Sequence, residues 1–510
     1  MAGIGITLKE LFQKDTYIGR VQAYVYSSAI AAGPWISAVL VVNIMLIISA
    51  YLIVLPIERF LFMGTIVYSF VFSQIITAPW QFLIARYLAD KLFQNEFDYI
   101  RPAFIGLTKI IFTFALVAAI VFYYNKPLPG YYTYMAGTLF IILSLIWIIM
   151  VFLSAAKNYK AIAKAFIFGG LISIFLTYIF LMYPIPFMEH TSAANILLAY
   201  LIGVLTTYII LIYSFFDTFS FGNYLEYDFL RYFNKVGILF SIGLFYTLGI
   251  WIDNLLMWYS EHGAIIMETF RYAPLYDHAK FLALLTIIPT TVLFMVQVET
   301  EFYDKYKRYY QTVRGESTFA DITEARSKMV GLLYRHLVYL LERQILITFT
   351  IIVLSGYIFV YLGYSVLLQD MFRICALGAL SNAIMLAVLL ILLYFEARKE
   401  ALLVSITFFI ANLTLTWYLM PLGSDYFGFG FFLSALIALA VSIVCLILCL
   451  KSLNYRTFSK QPYILIPDSG LFVKIADKLN VLSLYLSDKN FVFPKNNTLY
   501  SQDQETRAGK

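Results

Sequence analysis

Apolar residues along this chain come in long unbroken blocks, such as "AVLVVNIMLIISAYLIVL" at 38–55, rather than alternating with polar ones. A helix needs about 20 mostly apolar residues to cross roughly 30 Å of hydrocarbon. An outer-membrane strand would alternate over about ten. The blocks therefore predict transmembrane helices, twelve of them, near 25–54, 62–85, 103–124, 131–155, 162–184, 194–216, 236–258, 279–298, 344–366, 374–394, 402–421 and 427–450. The fold class expected is an all-α polytopic membrane protein.

Two regions break the pattern. The segment 300–344 reads as a helical hairpin with a turn at Gly315. Thr318 and Asp321 have capping-box spacing at the start of its second arm, and Ile322, Met329, Leu333, His336, Leu337 and Leu340 follow as one apolar stripe. Such a stripe suits either an elbow lying on the membrane surface or a platform for a cytoplasmic protein. The tail from 453 holds one short helical stretch, "LFVKIADKLN", and ends in a polar segment with the composition of a disordered chain.

Charge orients the bundle. With the N-terminus inside, thirteen lysines and arginines border the short inside loops, against five outside: Arg59, Lys126, Arg271, Lys280 and Arg373. The positive-inside rule then places both termini in the cytoplasm, which requires an even number of spans. The N-terminus mixes acids with bases and shows no small-residue cleavage site, so the first helix is expected to remain in the mature protein.

Composition agrees and removes whole classes of function. Of 510 residues 62% are hydrophobic and only 13% charged, with mean hydropathy +0.81, outside the soluble range. The three cysteines, Cys375, Cys445 and Cys449, all lie in apolar runs and point to neither disulfides nor zinc. No phosphate-cradling glycine loop, zinc helix or nucleophile elbow occurs, so no enzyme, cofactor or metal site is expected. A secondary transporter or channel-like subunit remains.

The candidate site residues are the charges inside the spans, each costing roughly 2.5–3.5 kcal/mol at mid-membrane unless partnered. Lys109 is the deepest base, with a stem long enough to snorkel. Asp253, near the outer end of the seventh span, has a one-carbon stem and needs a partner. Lys280 and Arg373 open the eighth and tenth spans at the same level and are placed to reach it, while Asp277 sits three residues before Lys280 on one helical face. These five are candidates for a substrate path or gate, or for an architectural ion-pair cluster. Pro289 should kink the eighth span, with Thr290 and Thr291 satisfying the freed carbonyls, and Gly33–Pro34 should break the first. All three are hinge candidates.

The stretches "MAGIG", "KDTYIGR", "AYVYSSAIAAGPW", "RYLADKLF", "FLSAAKNYK", "LGIWIDNLLMWYS", "YDHAKFLALLTIIPTTVLFMVQVETEFYDKYKRYY" and "EARKEALL" occur in that order, to about residue 455. In them the chain resembles the PelG family, the inner-membrane component of Pel exopolysaccharide export. The resemblance implies the multidrug/oligosaccharidyl-lipid/polysaccharide exporter superfamily, with two six-helix lobes around a central cavity. The twelve spans divide accordingly into 1–218 and 219–452, leaving 453–510 as a tail. It also implies work with a cytoplasmic glycosyltransferase and other membrane subunits, moving a polymer rich in N-acetylgalactosamine. A neutral acetylated sugar needs flat aromatic faces and hydrogen-bonding groups, and the 41 tyrosines offer both, although most should serve packing and interface belts. Two other readings stand beside it: a flippase for lipid-linked oligosaccharides or an ion-coupled small-molecule exporter, and a scaffold that assembles a synthase without transporting.

Overall fold

The computed structural model describes residues 33–52, 54–185, 192–219, 225–459 and 470–487. The first half contains α1 (Gly33–Tyr51), α2 (Pro56–Phe93), α3 (Ile100–Tyr123), α4 (Gly130–Ala155), α5 (Tyr159–Met182) and α6 (Ser192–Thr218). The second contains α7 (Ile238–Trp258), a two-stranded ribbon β1 (Ala264–Ile266) and β2 (Phe270–Tyr272), α8 (Pro274–Leu285), α9 (Ile288–Gln297), α10 (Tyr303–Arg314), α11 (Phe319–Tyr361), α12 (Val366–Tyr394), α13 (Arg398–Leu419) and α14 (Phe429–Lys451). The helix α15 (Leu471–Ser487) follows in the tail. Among the described residues eleven helical segments are long and apolar enough to cross a membrane, α8 and α9 counting together, and the apolar α1 is shorter.

Both halves use one packing scheme. In the first, α1 packs on α5, α5 on α6, α6 on α4, and α4 on both α2 and α3. In the second, α7 packs on α13, α13 on α14, α14 on α12, and α12 on both α8 and α11. Lipid gives helices little hydrophobic reason to associate, so close packing and buried hydrogen bonds must hold them. The α5–α6 crossing shows how: a Cβ on Gly203 would lie 2.3 Å from the Gly169 carbonyl oxygen, so only glycine fits. Buried hydroxyls such as those of Ser173 and Thr177 donate to carbonyls of their own helix, at 3.0 and 2.7 Å.

The halves meet chiefly along α2 and α7. One end of the bundle, called here the hairpin end, carries the β-ribbon; the other, the basic end, carries the α6–α7 connection and α10. The ribbon is the one departure among the described residues from an all-helical fold. Its turn holds Met267 and Glu268 at φ of 43° and 53°, left-handed values that a tight hairpin demands and that glycine or asparagine usually supplies.

Pro289 acts differently from a simple kink. The eighth span is interrupted between Leu285 and Ile288, and Pro289 occupies the first turn of α9. Neither threonine acts as expected: Thr291 donates to the Ile287 carbonyl at 3.1 Å, which Pro289 does not free and which already accepts the Thr291 N–H, and Thr290 donates to the Gln344 side chain of α11. The Gln344 amide in turn donates to the Thr286 carbonyl at 3.4 Å and to Thr348 at 2.9 Å. A neighbouring helix therefore satisfies the break.

The hairpin expected at 300–344 forms, and Thr318 and Asp321 make its capping box. Its second arm, however, is neither a separate helix nor a surface elbow. It runs unbroken into the ninth span as the 43-residue α11, about 64 Å at 1.5 Å per residue, twice the thickness of the hydrocarbon. The stripe faces inward: Ile322, Met329, Leu333 and Leu340 are buried, and Leu333, Leu337 and Leu340 gather with Phe294, Phe302 and Ile391. Arg326 caps the end of α14 by donating to the Leu450 carbonyl at 2.6 Å. The first span is helical over its described part, Gly33–Tyr51; the break expected at Gly33–Pro34 falls at the edge of the described residues, and the residues on its other side lie outside them.

Candidate functional site

Asp253 and Lys280 form a fully buried pair between α7 and α8. The Lys280 ammonium lies 2.7 Å from both carboxylate oxygens, 2.7 Å from Asn254 Oδ1, and against the Ile250 carbonyl, so its three hydrogens are shared among four acceptors. It also sits 4.5 Å from the centre of the Phe431 ring. Asp253 accepts further from the Tyr276 hydroxyl and from Asn412 Nδ2 at 3.1 Å, and Asn412 is held by the Gly249 carbonyl and Thr416. The site thus ties α7, α8 and α13 together with each charge saturated. Removing one partner from such a pair strands a buried charge, at a cost of about 3–5 kcal/mol.

Asp277 belongs to the same network but does not neutralise Lys280 directly. Its carboxylate accepts from Asn254 Nδ2 at 2.6 Å, Trp258 Nε1 at 2.7 Å and the Ala273 backbone at 3.0 Å. Trp258 then leaves the second half: its ring stacks on Tyr68 of α2, with centroids 4.8 Å apart and planes 13° apart. The Tyr68 hydroxyl donates to the Arg271 carbonyl at 2.8 Å and accepts from the Arg271 N–H at 3.0 Å, clasping the ribbon. Phe270 fills the remaining gap over Gly64, where an added Cβ would meet its side chain at 3.3 Å. One chain of contacts therefore runs from the buried charge pair to the seam between the halves.

Arg373 does not join this cluster. It pairs with Asp370 at 3.1 Å, half exposed, and passes near Gly356 of α11. The cause is helical phase: the face of α12 toward the cluster carries buried Cys375, and position 373 is about 200° away from it at 3.6 residues per turn. His278 turns from the network as well, its ring 5.3 Å from Tyr364.

Lys109 has its own partner at the basic end, Glu226, at 2.6 Å. Its side chain is 53% exposed, and pairs of that kind contribute about 0–1 kcal/mol. Lys109→Ala should accordingly leave the melting temperature of the purified protein within about 2 °C of wild type, by scanning fluorimetry. A larger fall would give the pair a structural weight this geometry does not.

A second charge cluster, absent from the candidates above, lies on the α6–α7 connection. Asp228 is buried there; the Tyr87 hydroxyl donates to it at 3.4 Å, Lys91 Nζ lies 3.6 Å away and Arg231 Nε 3.4 Å. Lys91 also pairs with Glu96 at 2.8 Å and sits 3.8 Å from the centre of the Tyr99 ring. Helix α15 docks on this connection. Arg231 pairs with Asp477, whose pKa is raised because burial outweighs the attraction of the guanidinium. The signal was available only as scattered loop bases, which the orientation rule absorbs.

Comparison with solved structures defines the fold first. The chain is similar to an outward-facing multidrug resistance MATE family transporter of the MOP superfamily, with TM-score 0.56, 13% identity, and coverage of 89% of this chain and 100% of the other. It is also similar to a MOP superfamily transporter from Pyrococcus furiosus, with TM-score 0.54, 14% identity and coverage of 84% and 96%. A MATE protein in complex with MaL6 aligns with TM-score 0.55, 14% identity and coverage of 85% and 96%. The chain shares the fold of these proteins. Over residues 1–458 the chain matches the family described as "PelG: Putative exopolysaccharide Exporter (EPS-E)", and it belongs to that family. No curated protein sequence matches it significantly.

Proposed function

We propose that this chain carries an exopolysaccharide of the Pel type, rich in N-acetylgalactosamine, across the cytoplasmic membrane, working with a cytoplasmic glycosyltransferase. The observation that carries this is the family match over residues 1–458, on a fold whose relatives are transporters. The bias of bases toward one end supports a cytoplasmic location for that end and for both termini. The halves 1–218 and 219–452 would rock against each other, with the α2–ribbon contact as the outer seal. The network from Asp253 to Trp258 supports the seal from behind, and the interruption at Pro289 gives α8 room to tilt.

Two features favour transport over a passive scaffold. The seam is not purely apolar, since Trp251 Nε1 of α7 donates to Gln74 Oε1 of α2 at 3.1 Å. Both of its ends close on aromatic contacts that a small rotation would separate, Tyr68 with Trp258 at one and Trp80 with Phe240, centroids 5.3 Å apart, at the other. The α10–α11 hairpin offers exposed Lys307, Arg308, Phe319 and Tyr334 on its outer surface, a suitable receiving face for the glycosyltransferase.

The test is reconstitution of the chain with its glycosyltransferase in vesicles, measuring polymer protected in the lumen. Protected polymer that depends on this chain is expected. Active synthesis with no protected polymer, under conditions where both proteins are folded, would establish the scaffold reading instead.

A further inference from the structure

The family match ends at residue 458, yet α15, beyond it, is seated on the family's own core. Its seat is the connection between the sixth and seventh spans, residues 225–237. The Asn480 side chain, buried, accepts from the Tyr227 N–H at 2.8 Å. Phe472 stacks on Phe233 with centroids 4.6 Å and planes 17° apart, and Val473 and Ala476 are buried against the same surface. Arg231 completes the contact through Asp477.

What the seat touches on its other side gives the contact its meaning. Asp228 faces Tyr87 and Lys91 of α2, and Phe229 and Phe233 pack edge-on against Trp80 of the same helix. The connection is therefore held between α2 of the first half and α15. Any movement that parts the halves at the basic end must drag this connection off α2. Helix α15 bears on that step through the connection: a buried amide accepting a backbone N–H, a face-to-face ring pair and an ion pair hold residues 225–237 in the shape that fits α2.

We infer that α15 is an autoinhibitory clamp: docked on the α6–α7 connection, it holds the basic end closed and limits loading of polymer, and export requires its release. The inference rests on the transporter reading above and adds a regulatory element that lies outside the region shared with the family.

Two measurements test it separately. Docking is read without substrate, by the labelling rate of Ala476→Cys with a membrane-impermeant maleimide in inside-out vesicles. The native cysteines Cys375, Cys445 and Cys449 are buried and should contribute little background. Slow labelling is expected in the otherwise native chain, rising at least about tenfold when Phe472→Ala and Asn480→Ala are added, as local opening sets the rate. Fast labelling of the otherwise native chain would overturn the docked clamp, whatever the protein transports.

Regulation is read from export. A chain ending at Ser459 should export polymer at least about threefold faster than the full chain at equal protein level, the change from removing a coupling of order RT. Equal or slower export at equal level would make α15 an architectural strap and overturn the inference. If the truncated chain does not accumulate, the Phe472→Ala/Asn480→Ala chain decides: faster labelling with faster export supports the clamp, and faster labelling with unchanged export overturns it. Loss of export from the full chain in the vesicle assay, with normal labelling, would count against the transporter reading and not against docking.

Discussion

Lys280→Met alone should sharply reduce the amount of folded protein in the membrane, and Asp253→Asn with Lys280→Met should restore it without restoring export. The single change leaves Asp253 ionised and buried, with Tyr276 and Asn412 as donors but no cation, at about 3–5 kcal/mol. The double change removes both charges while keeping the shape, and such neutral replacements are often tolerated or even stabilising. The amide introduced at position 253 can keep both contacts, its oxygen accepting from Asn412 and its N–H donating to the Tyr276 hydroxyl. Export is expected to stay low because Lys280 also holds Asn254, whose amide N–H positions Asp277, and Asp277 orients the Trp258 indole against Tyr68. The measurement is membrane protein level and secreted polymer in the same cells. Wild-type export from the double variant would show that the pair only ties α7 to α8.

The contrast between the two ends of that network explains what a sequence alone can supply. The spans are legible because lipid imposes one rule on every residue of a crossing helix, and the apolar blocks obey it. Asp253 and Lys280 are legible for the same reason: a short acid at membrane depth must find a base, and Lys280 is at its level. Arg373 satisfies the depth argument equally well and fails on phase, since depth fixes height along a helix and says nothing of which neighbour it faces. Glu226, the partner of Lys109, sits on a connection with no period to read, as do Asp228 and Arg231. The ribbon is hidden by a turn built from Met267 and Glu268 rather than glycine or asparagine. Pro79, inside α2, breaks no apolar block and so leaves no mark, although Gly243 of α7 packs directly against it and Ala78. The stripe on 322–340 is legible as apolar, but its inward direction is not, because periodicity shows that a face must be covered without naming what covers it.

A cross-link between Gly64→Cys and Phe270→Cys should stop export when formed and release it when reduced. An ideal Cβ on Gly64 lies 3.3 Å from the Phe270 Cβ, about 0.2 Å short of the separation of about 3.5–4.5 Å that a disulfide spans, so a small shift apart brings the pair into range. Loss of the buried Phe270 ring leaves space for the sulfurs to adjust, at a stability cost of about 3–5 kcal/mol typical of removing a core phenylalanine. The reduced double variant is therefore the reference, not the wild type, and each single cysteine variant shows whether the oxidant alone matters. Joining α2 to the ribbon fixes the seal between the halves while leaving the Asp253–Lys280 pair, the Pro289 break and the basic end untouched. If transport requires the hairpin end to open, fully cross-linked protein should export no measurable polymer, and reductant should return the rate of the reduced reference. Export that continues at that rate through quantitatively cross-linked protein would mean that the halves do not part here, and the outer seal would have to be sought elsewhere along the α2–α7 seam.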